Sequence, residues 1–406
     1  MVTCAIDLGK FHSVCCFFDP ATQKHQFETI ATKRSHIEHL LASRSDIDLV
    51  VMEACGPSGW IHDICQEKRV KSLVCSTNEE AWSWKSTKRK TDRDDALKLA
   101  EMSLLRRLVP VHVPSPRIRE QRAFIKYRKS VDQDINRLKN SIRSIFANRG
   151  IEIDTGERAW CTGRTHINSF RKPIEDCTRD ELWRGQLDMQ LSRLDDLTKK
   201  LESLEAKLDE FAAEHPDIVR LMTIPGVGRK TAEAIVAAID DPHRFKNARH
   251  VSSYLGLTPK QHQSGEIDRS GRINKRGSKL LRTLLLQCAW TSLRYNRWSK
   301  KTYDRIAGGS KTRRKKAGIA LARKIGVIAW AMMRDQADWD ASKLLPEEDV
   351  KKDNGKLKVK RKLPKPPGPV HSEESSRAAH RRANLTTKPK RQTRTGNRRT
   401  QTVVLQ

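Results

Sequence analysis

Residues 2–18 read VTCAIDLGKFHSVCCFF. Two runs, 2–7 and 12–18, are apolar and rich in valine, isoleucine, cysteine and phenylalanine, and a short stretch with Gly9 and Lys10 parts them. Such runs at hairpin spacing predict two strands, the first ending on Asp7. Outward from there, QFETI (26–30) predicts a third strand and SHIEHLLASR (35–44) a helix. DLVVMEA (48–54) predicts a fourth strand, residues 59–68 a helix, KSLVCST (71–77) a fifth strand, and DRDDALKLAEMSLL (92–105) a helix. Three strands close together followed by strand–helix crossovers imply an α/β fold, a mixed sheet with helices on its faces.

The remainder reads as helical. Residues 117–149 form one long basic helical pattern. Leu187, Leu191, Leu194, Leu197, Leu201, Leu204, Leu208 and Phe211 recur at steps of mostly three and four, the spacing of a coiled coil. The two long helices form either an antiparallel hairpin within one chain or an arm that pairs protomers. Residues from 218 to about 345 predict a mainly helical globular domain. Beyond 346 the chain turns to lysine, arginine, proline and polar residues, a composition that stays disordered without a polyanion. The expected domains are therefore 1–115, 116–215, 216–345 and a basic tail, 346–406.

Charge narrows the function. The 406 residues carry a net charge of +31, which implies a polyanionic partner, with nucleic acid the usual one. The tail holds 17 Lys and Arg against 6 Asp and Glu, so most of the excess lies in the body. Nine cysteines form no CxxC pair and no Cys/His cluster of zinc spacing, and they read as buried free thiols. The N-terminus lacks the pattern of a signal peptide, and no run is long and apolar enough to span a membrane. The expectation is a cytoplasmic, DNA-associated protein with no membrane contact.

Chemistry concentrates in three places. Asp7 and Glu53 end the first and fourth strands, each followed closely by glycine, and Asp92 and Asp95 sit three apart at a helix start, on one face. With the first and fourth strands adjacent, the four acids converge. Oxygen-only ligands suit Mg²⁺ or Mn²⁺, and two such ions serve phosphodiester chemistry. Asp94 points to another face. Taken singly, each acid reads better as a solvated strand end or a helix N-terminus favoured by the dipole; it is together, at these placements, that they read as a metal site. DLGK also matches the phosphate loop of actin-like sugar kinases, but no second Gly-rich loop accompanies it.

IPGVGRKTAEAIVAAI (224–239) is the second place. Gly226 and Gly228 before an amphipathic helix bring backbone N–H groups towards a phosphate, with Arg229 and Lys230 adding charge. The pattern resembles the hairpin of a helix-hairpin-helix module, and a plain turn between core helices is the alternative. The third is GLTPKQHQSGEIDRSGRINKRG (256–277), a basic loop between apolar flanks. Lys260, Arg272, Lys275 and Arg276, together with Arg269, form a phosphate-binding set. Ser264, beside Gly265, is an accessible hydroxyl, either a nucleophile or a phosphate ligand. His262 lies two residues away without an orienting acid, so no base is evident. Trp82 and Trp84 flank the basic run 85–93 and are candidates for stacking on bases.

These features in this order, with KTDRDDA (90–96) and the block from IPGVG to LRTLL, resemble the DEDD transposases of the insertion-sequence one-hundred-and-ten family over about residues 1–340. These are bridge-RNA-guided recombinases with relatives among Piv-type invertases. The resemblance implies a ribonuclease H-like (RuvC-like) domain whose acids Asp7, Glu53, Asp92 and Asp95 bind Mg²⁺, a coiled-coil arm for homo-oligomer assembly, and a C-terminal transposase domain. It implies that Ser264 forms a covalent phosphoserine link to DNA, that the site is completed between protomers, and that a structured guide RNA pairs with donor and target DNA. The local block, Gln263-Ser264-Gly265-Glu266, departs from the family's usual Ser-Ser-Gly-Gly, which leaves Ser270 and Ser278 as rivals. Alternatives to the recombinase are an invertase without a guide, a junction-resolving nuclease that needs no serine, and a nucleic-acid-binding protein with degenerate acids.

Overall fold

The computed structural model describes residues 2–76, 91–105, 107–264 and 267–344, with only the backbone described at 262–264, 267, 268 and 270. The segment with Trp82 and Trp84 and the tail from 346 thus lie outside the described residues. Strands β1 (Val2–Leu8), β2 (His12–Phe18), β3 (His25–Ala31), β4 (Ile47–Glu53) and β5 (Lys71–Cys75) form one sheet in the order β3-β2-β1-β4-β5. β1 runs antiparallel to β2 and parallel to β4, so the sheet is mixed, as its sequence predicts. Cys4, Ala5 and Ile6 are all buried, because β1 is central and covered on both faces.

Side chains alternate between the faces with period two. One face carries Cys4, Ile6, Val50 and Met52 and packs on α1 (Arg34–Ser43) and α2 (Ser58–Glu67). The other carries Ala5, Cys16, Val51 and Cys75 and packs on α3 (Asp92–Leu104) through Ala96, Leu99 and Ala100. Asp7 continues the alternation of Ala5, and Glu53 that of Val51, so both belong to the α3 face.

From Pro116 to Ala147 the chain is one helix, α4, capped by the Ser115 hydroxyl, which accepts from the Ile118 amide. Short α5 (Arg164–Asn168) precedes α6 (Leu182–Glu214). α4 and α6 lie against each other: Ile142 and Phe146 share a core with Leu187 and Leu191, while Ile125 meets Leu208 at the opposite end. The two helices thus form an antiparallel hairpin within one chain. Phe146 meets Phe170 and Trp183 edge-to-face, and Phe170 and Trp183 meet at a tilt, closing its far end.

The C-terminal core is built by α7 (Pro216–Leu221), α8 (Arg229–Ile239), α9 (Ala248–Tyr254), α10 (Lys279–Tyr295), α11 (Arg297–Ala307) and α12 (Arg314–Asp335). Between α9 and α10, residues 256–277 do not form a loop. Two antiparallel strands, β6 (Pro259–Ser264) and β7 (Ile267–Ile273), make a hairpin. Among the described residues no helix is long and apolar enough to cross a membrane.

Candidate active site

Ile6 is registered against Met52 in the parallel β1–β4 pair, so Asp7 and Glu53 follow side by side at the carboxyl ends of adjacent strands. Both are half-buried. Their field is felt nearby. Partial desolvation pushes the Cys55 thiol up, a hydrogen bond from the Ser58 amide opposes this, and the charges of Glu53 and Asp7 add to the rise. The Cys75 thiol is pushed up to about 11 by burial first and then by Glu53.

The head of α3 supplies the second pair of acids. Thr91 caps the helix in a reciprocal box: its hydroxyl accepts from the Asp94 amide, and the Asp94 carboxylate accepts from the Thr91 amide at 3.1 Å. Asp94 is thereby committed to the cap, in keeping with its place on another face. Asp95 is half-buried, and Asp92, at the first helical position, is exposed. Asp92 and Asp95 thus stand at the head of the helix that covers the face of Asp7 and Glu53. Among the described residues, no three His, Cys, Asp or Glu side chains gather into a group able to hold an ion. The cap sets the first turn so that Asp92 faces solvent, while the sheet pair stands together. In donor chemistry the set suits a hard divalent cation, and its elements already share one face of the sheet.

The turn before α8 departs further from expectation. Gly226 has φ +98°, and a Cβ there would lie 2.6 Å from Ser292 Cα on α10. Its bareness serves helix packing. Gly228 caps α8 with open space around it. Arg229 is not a free phosphate ligand: it pairs with Glu205, with Asp209 at 2.5 Å and with Glu233 at 2.8 Å. Lys230 pairs with Glu205 at 2.6 Å, though it stays largely exposed. Buried Arg128 of α4 completes the cluster, 2.7 Å from Glu233. Burial outweighs both arginines at Glu233 and raises its carboxyl pKa. Burial also opposes ionisation of Glu205, but Lys230, Arg128 and Arg229 together outweigh it and lower that carboxyl. The network ties the helical hairpin to the C-terminal core, and removing one partner of such a buried pair costs roughly 3–5 kcal/mol.

The β6–β7 hairpin rises from a narrow neck. Gly256 (φ +67°) and Gly277 (φ +85°) cross there, and a Cβ on either would land on a carbonyl oxygen of the other strand's flank, at Arg276 or Tyr254. Arg282 donates to the carbonyls of Arg276 and Gly277, both at 2.9 Å, and the Asn274 amide donates to Thr258 Oγ1 at 2.9 Å. Ser264 pairs with Ile267, which puts it at the hairpin's far end; its side chain, Gly265, Glu266 and the His262 and Ser270 side chains lie outside the described residues. Ser278 is otherwise engaged: its hydroxyl caps α10, accepting from the Leu281 amide at 3.3 Å. Lys260, Arg272, Lys275 and Arg276 are exposed, and none makes an ion pair among the described residues. Neither hairpin strand packs extensively against the five-stranded sheet. Basic residues on α12 near the hairpin base, Lys316 and Arg323, were missed from the sequence, although the run KTRRKK (311–316) announces the first.

Two family models match the chain. One, described as a transposase and named for DEDD and IS110, covers residues 4–148, and the other, described as the IS116/IS110/IS902 transposase family, covers residues 219–304. The first contains the acids and the second the hairpin. The transposase for insertion sequence element IS1111A of Coxiella burnetii is 28% identical over 318 residues, 76% of this chain and 83% of that protein. A probable family 20 transposase of Pseudomonas aeruginosa is 26% identical over 70% of this chain and 83% of its own. A pilin gene-inverting protein of Moraxella bovis is 37% identical over 30% of this chain and 38% of its own.

Proposed function

The chain belongs to the IS110 family of transposases, and from that premise we propose that it cuts and rejoins DNA through a serine–DNA covalent intermediate, using a metal site formed by Asp7, Glu53, Asp92 and Asp95. One observation carries the reading: Asp7 and Glu53 stand side by side at the strand ends, on the face that α3 covers with Asp92 and Asp95 at its head. The four acids would hold Mg²⁺ or Mn²⁺, which when bound supplies charge stabilisation of the phosphoryl group and the leaving oxygen. The serine is Ser264, favoured by its place at the hairpin's far end and by the use of Ser278 as a cap. Its Oγ attacks the scissile phosphorus. An Oγ–P bond forms as the bond from phosphorus to a sugar oxygen breaks, and that oxygen takes up the serine proton. A sugar hydroxyl of the strand to be joined then attacks the same phosphorus and releases Ser264.

The cations Lys260, Arg272, Lys275 and Arg276 hold the flanking phosphates. Arg229 and Gly226 drop out of this set because the fold uses both, whereas Gly228 and Lys230 remain accessible. Residues 1–115 serve as the RuvC-like domain, 116–215 as the assembly arm, 216–345 as the transposase domain and 346–406 as a polyanion-binding tail. A structured guide RNA that pairs with donor and target completes the assembly, as the family resemblance implies. Inversion instead of transposition is the second reading, favoured by the similarity to the pilin gene-inverting protein. It uses the same chemistry on sites within one molecule. A denaturing gel decides the serine's role: Ser264→Ala abolishes the covalent protein–DNA adduct, and an undiminished adduct removes Ser264 from the mechanism. Running the same assay after ribonuclease treatment tests the guide, because joining that survives would eliminate it.

A further inference from the structure

The base of the β6–β7 hairpin and the first half of α12 enclose a groove of about 710 Å³, within the size range of binding sites. Lys316, Ile319, Ala320 and Arg323 recur at steps of three and four, so one face of α12 forms a wall. The hairpin contributes the opposite wall, with Arg272 and Lys275 beside Ile273 and Leu257. The lining is mostly apolar with cations among it, and among the described residues no acidic one lines the groove.

Several basic residues of the helical hairpin are paired: Lys129 with Asp132, Arg164 with Asp195, Arg171 with Asp188. Around the groove, Arg272, Lys275, Lys316 and Arg323 make no ion pair among the described residues. Arg323 is half-buried, and a partly desolvated guanidinium without a counter-charge is unfavourable unless a ligand supplies one. Lys275 also holds φ +57°, a backbone conformation uncommon for a residue with a side chain. Lys311, Arg313, Arg314 and Lys315 precede Lys316 in the chain and make no ion pair among the described residues.

An anion with apolar faces between its charges fits this lining, and a nucleic-acid strand has that character. The groove's position favours DNA. From Pro259 to Ser264 is five steps of strand, about 17 Å at the usual rise. That distance corresponds to about five phosphates along one strand of a duplex. We propose that the groove between the hairpin base and α12 seats the DNA backbone about five phosphates from the point of attack, with Lys316 and Arg323 as ligands for that strand. The proposal rests on the reading of Ser264 as the attacking residue only for its distance, not for the existence of the seat.

Lysine acetylation of the full chain, with and without a short DNA duplex as the probe, tests it. Lys275 and Lys316 should lose reactivity several-fold when DNA is present, while exposed Lys71 on the sheet keeps its own. The double variant Lys316→Glu/Arg323→Glu should flatten the salt dependence of duplex binding by about 1.8 in logarithmic slope, two phosphate contacts' worth. An unprotected Lys316, equal protection by polyglutamate, or protection by an RNA duplex alone would overturn the assignment. Lys316 is exposed, so Lys316→Ala serves as a single variant that should fold normally, and it should show half the change in slope. Footprinting on Ser264→Ala separates the two readings: an adduct that survives that substitution defeats the serine, while the footprint still reports on the groove.

Discussion

Gly226 and Gly228 stand two residues apart in IPGVG, yet a methyl group added to each meets very different surroundings. At Gly226 the Cβ would be 2.6 Å from Ser292 Cα, on a backbone already at φ +98°. At Gly228 nothing lies within 4 Å. Gly226→Ala should therefore lower stability by about 2–4 kcal/mol, combining a strained φ with overpacking. Gly228→Ala should cost less than about 1 kcal/mol, the scale of a changed helix cap. Urea denaturation midpoints of the two variants check this, and equal midpoints would show that Gly226 is not a packing residue. Sequence alone cannot make the distinction, because Ser292 of α10 lies more than sixty residues further along the chain. Arg229 was opaque for the same reason, since its partners Glu205 and Asp209 come from α6.

At the scale of elements, legibility followed burial. The sheet strands and α1, α2, α3 and α4 agree closely with their sequence periods, because each has a buried face that imposes one. The hairpin strands PKQHQS and IDRSGRI carry no such alternation. Their ordering comes from the neck, where two glycines and Arg282 close the base, and a composition of glycine, serine and cations reads equally as a loop. Of the candidate site, the adjacency of Asp7 and Glu53 was legible from strand order. The exposed position of Asp92 was not, because it depends on the cap formed by Thr91 and Asp94. The start of α6 offers a pH test of another cap. A hydrogen bond from Lys172, helped by Thr178, lowers the Glu181 carboxyl to about 2. A depressed carboxylate adds stability that is fully present above its unfolded pKa, near 4.5, and is lost as pH falls through the folded value. Glu181→Gln should therefore lower the denaturation midpoint at neutral pH, and its difference from the parent should shrink between pH 4.5 and about 2. A difference independent of pH would mean that the charge of Glu181 contributes nothing there.

Across the whole molecule, the two halves of the proposed chemistry sit on separate supports. The acids belong to the five-stranded sheet and α3, and the hairpin with Ser264 rises from the C-terminal helical core, with no extensive packing between hairpin and sheet. A serine raised on its own neck, on a hairpin that does not pack extensively on the sheet, is the arrangement expected if a second copy supplies the complementary half. That prediction has a direct check. Asp7→Ala should lack strand cleavage for want of an acid, and Ser264→Ala for want of a nucleophile, so each alone forms no adduct. Mixed together, protomers that share sites in trans restore one intact pairing, the sheet acids of the Ser264→Ala chain with the serine of the Asp7→Ala chain. The adduct should then reappear, attached only to the Asp7→Ala protein, which a size tag on one variant would reveal on a denaturing gel. If both halves act within one chain, the mixture stays as inactive as its components, and the hairpin must instead swing to its own sheet.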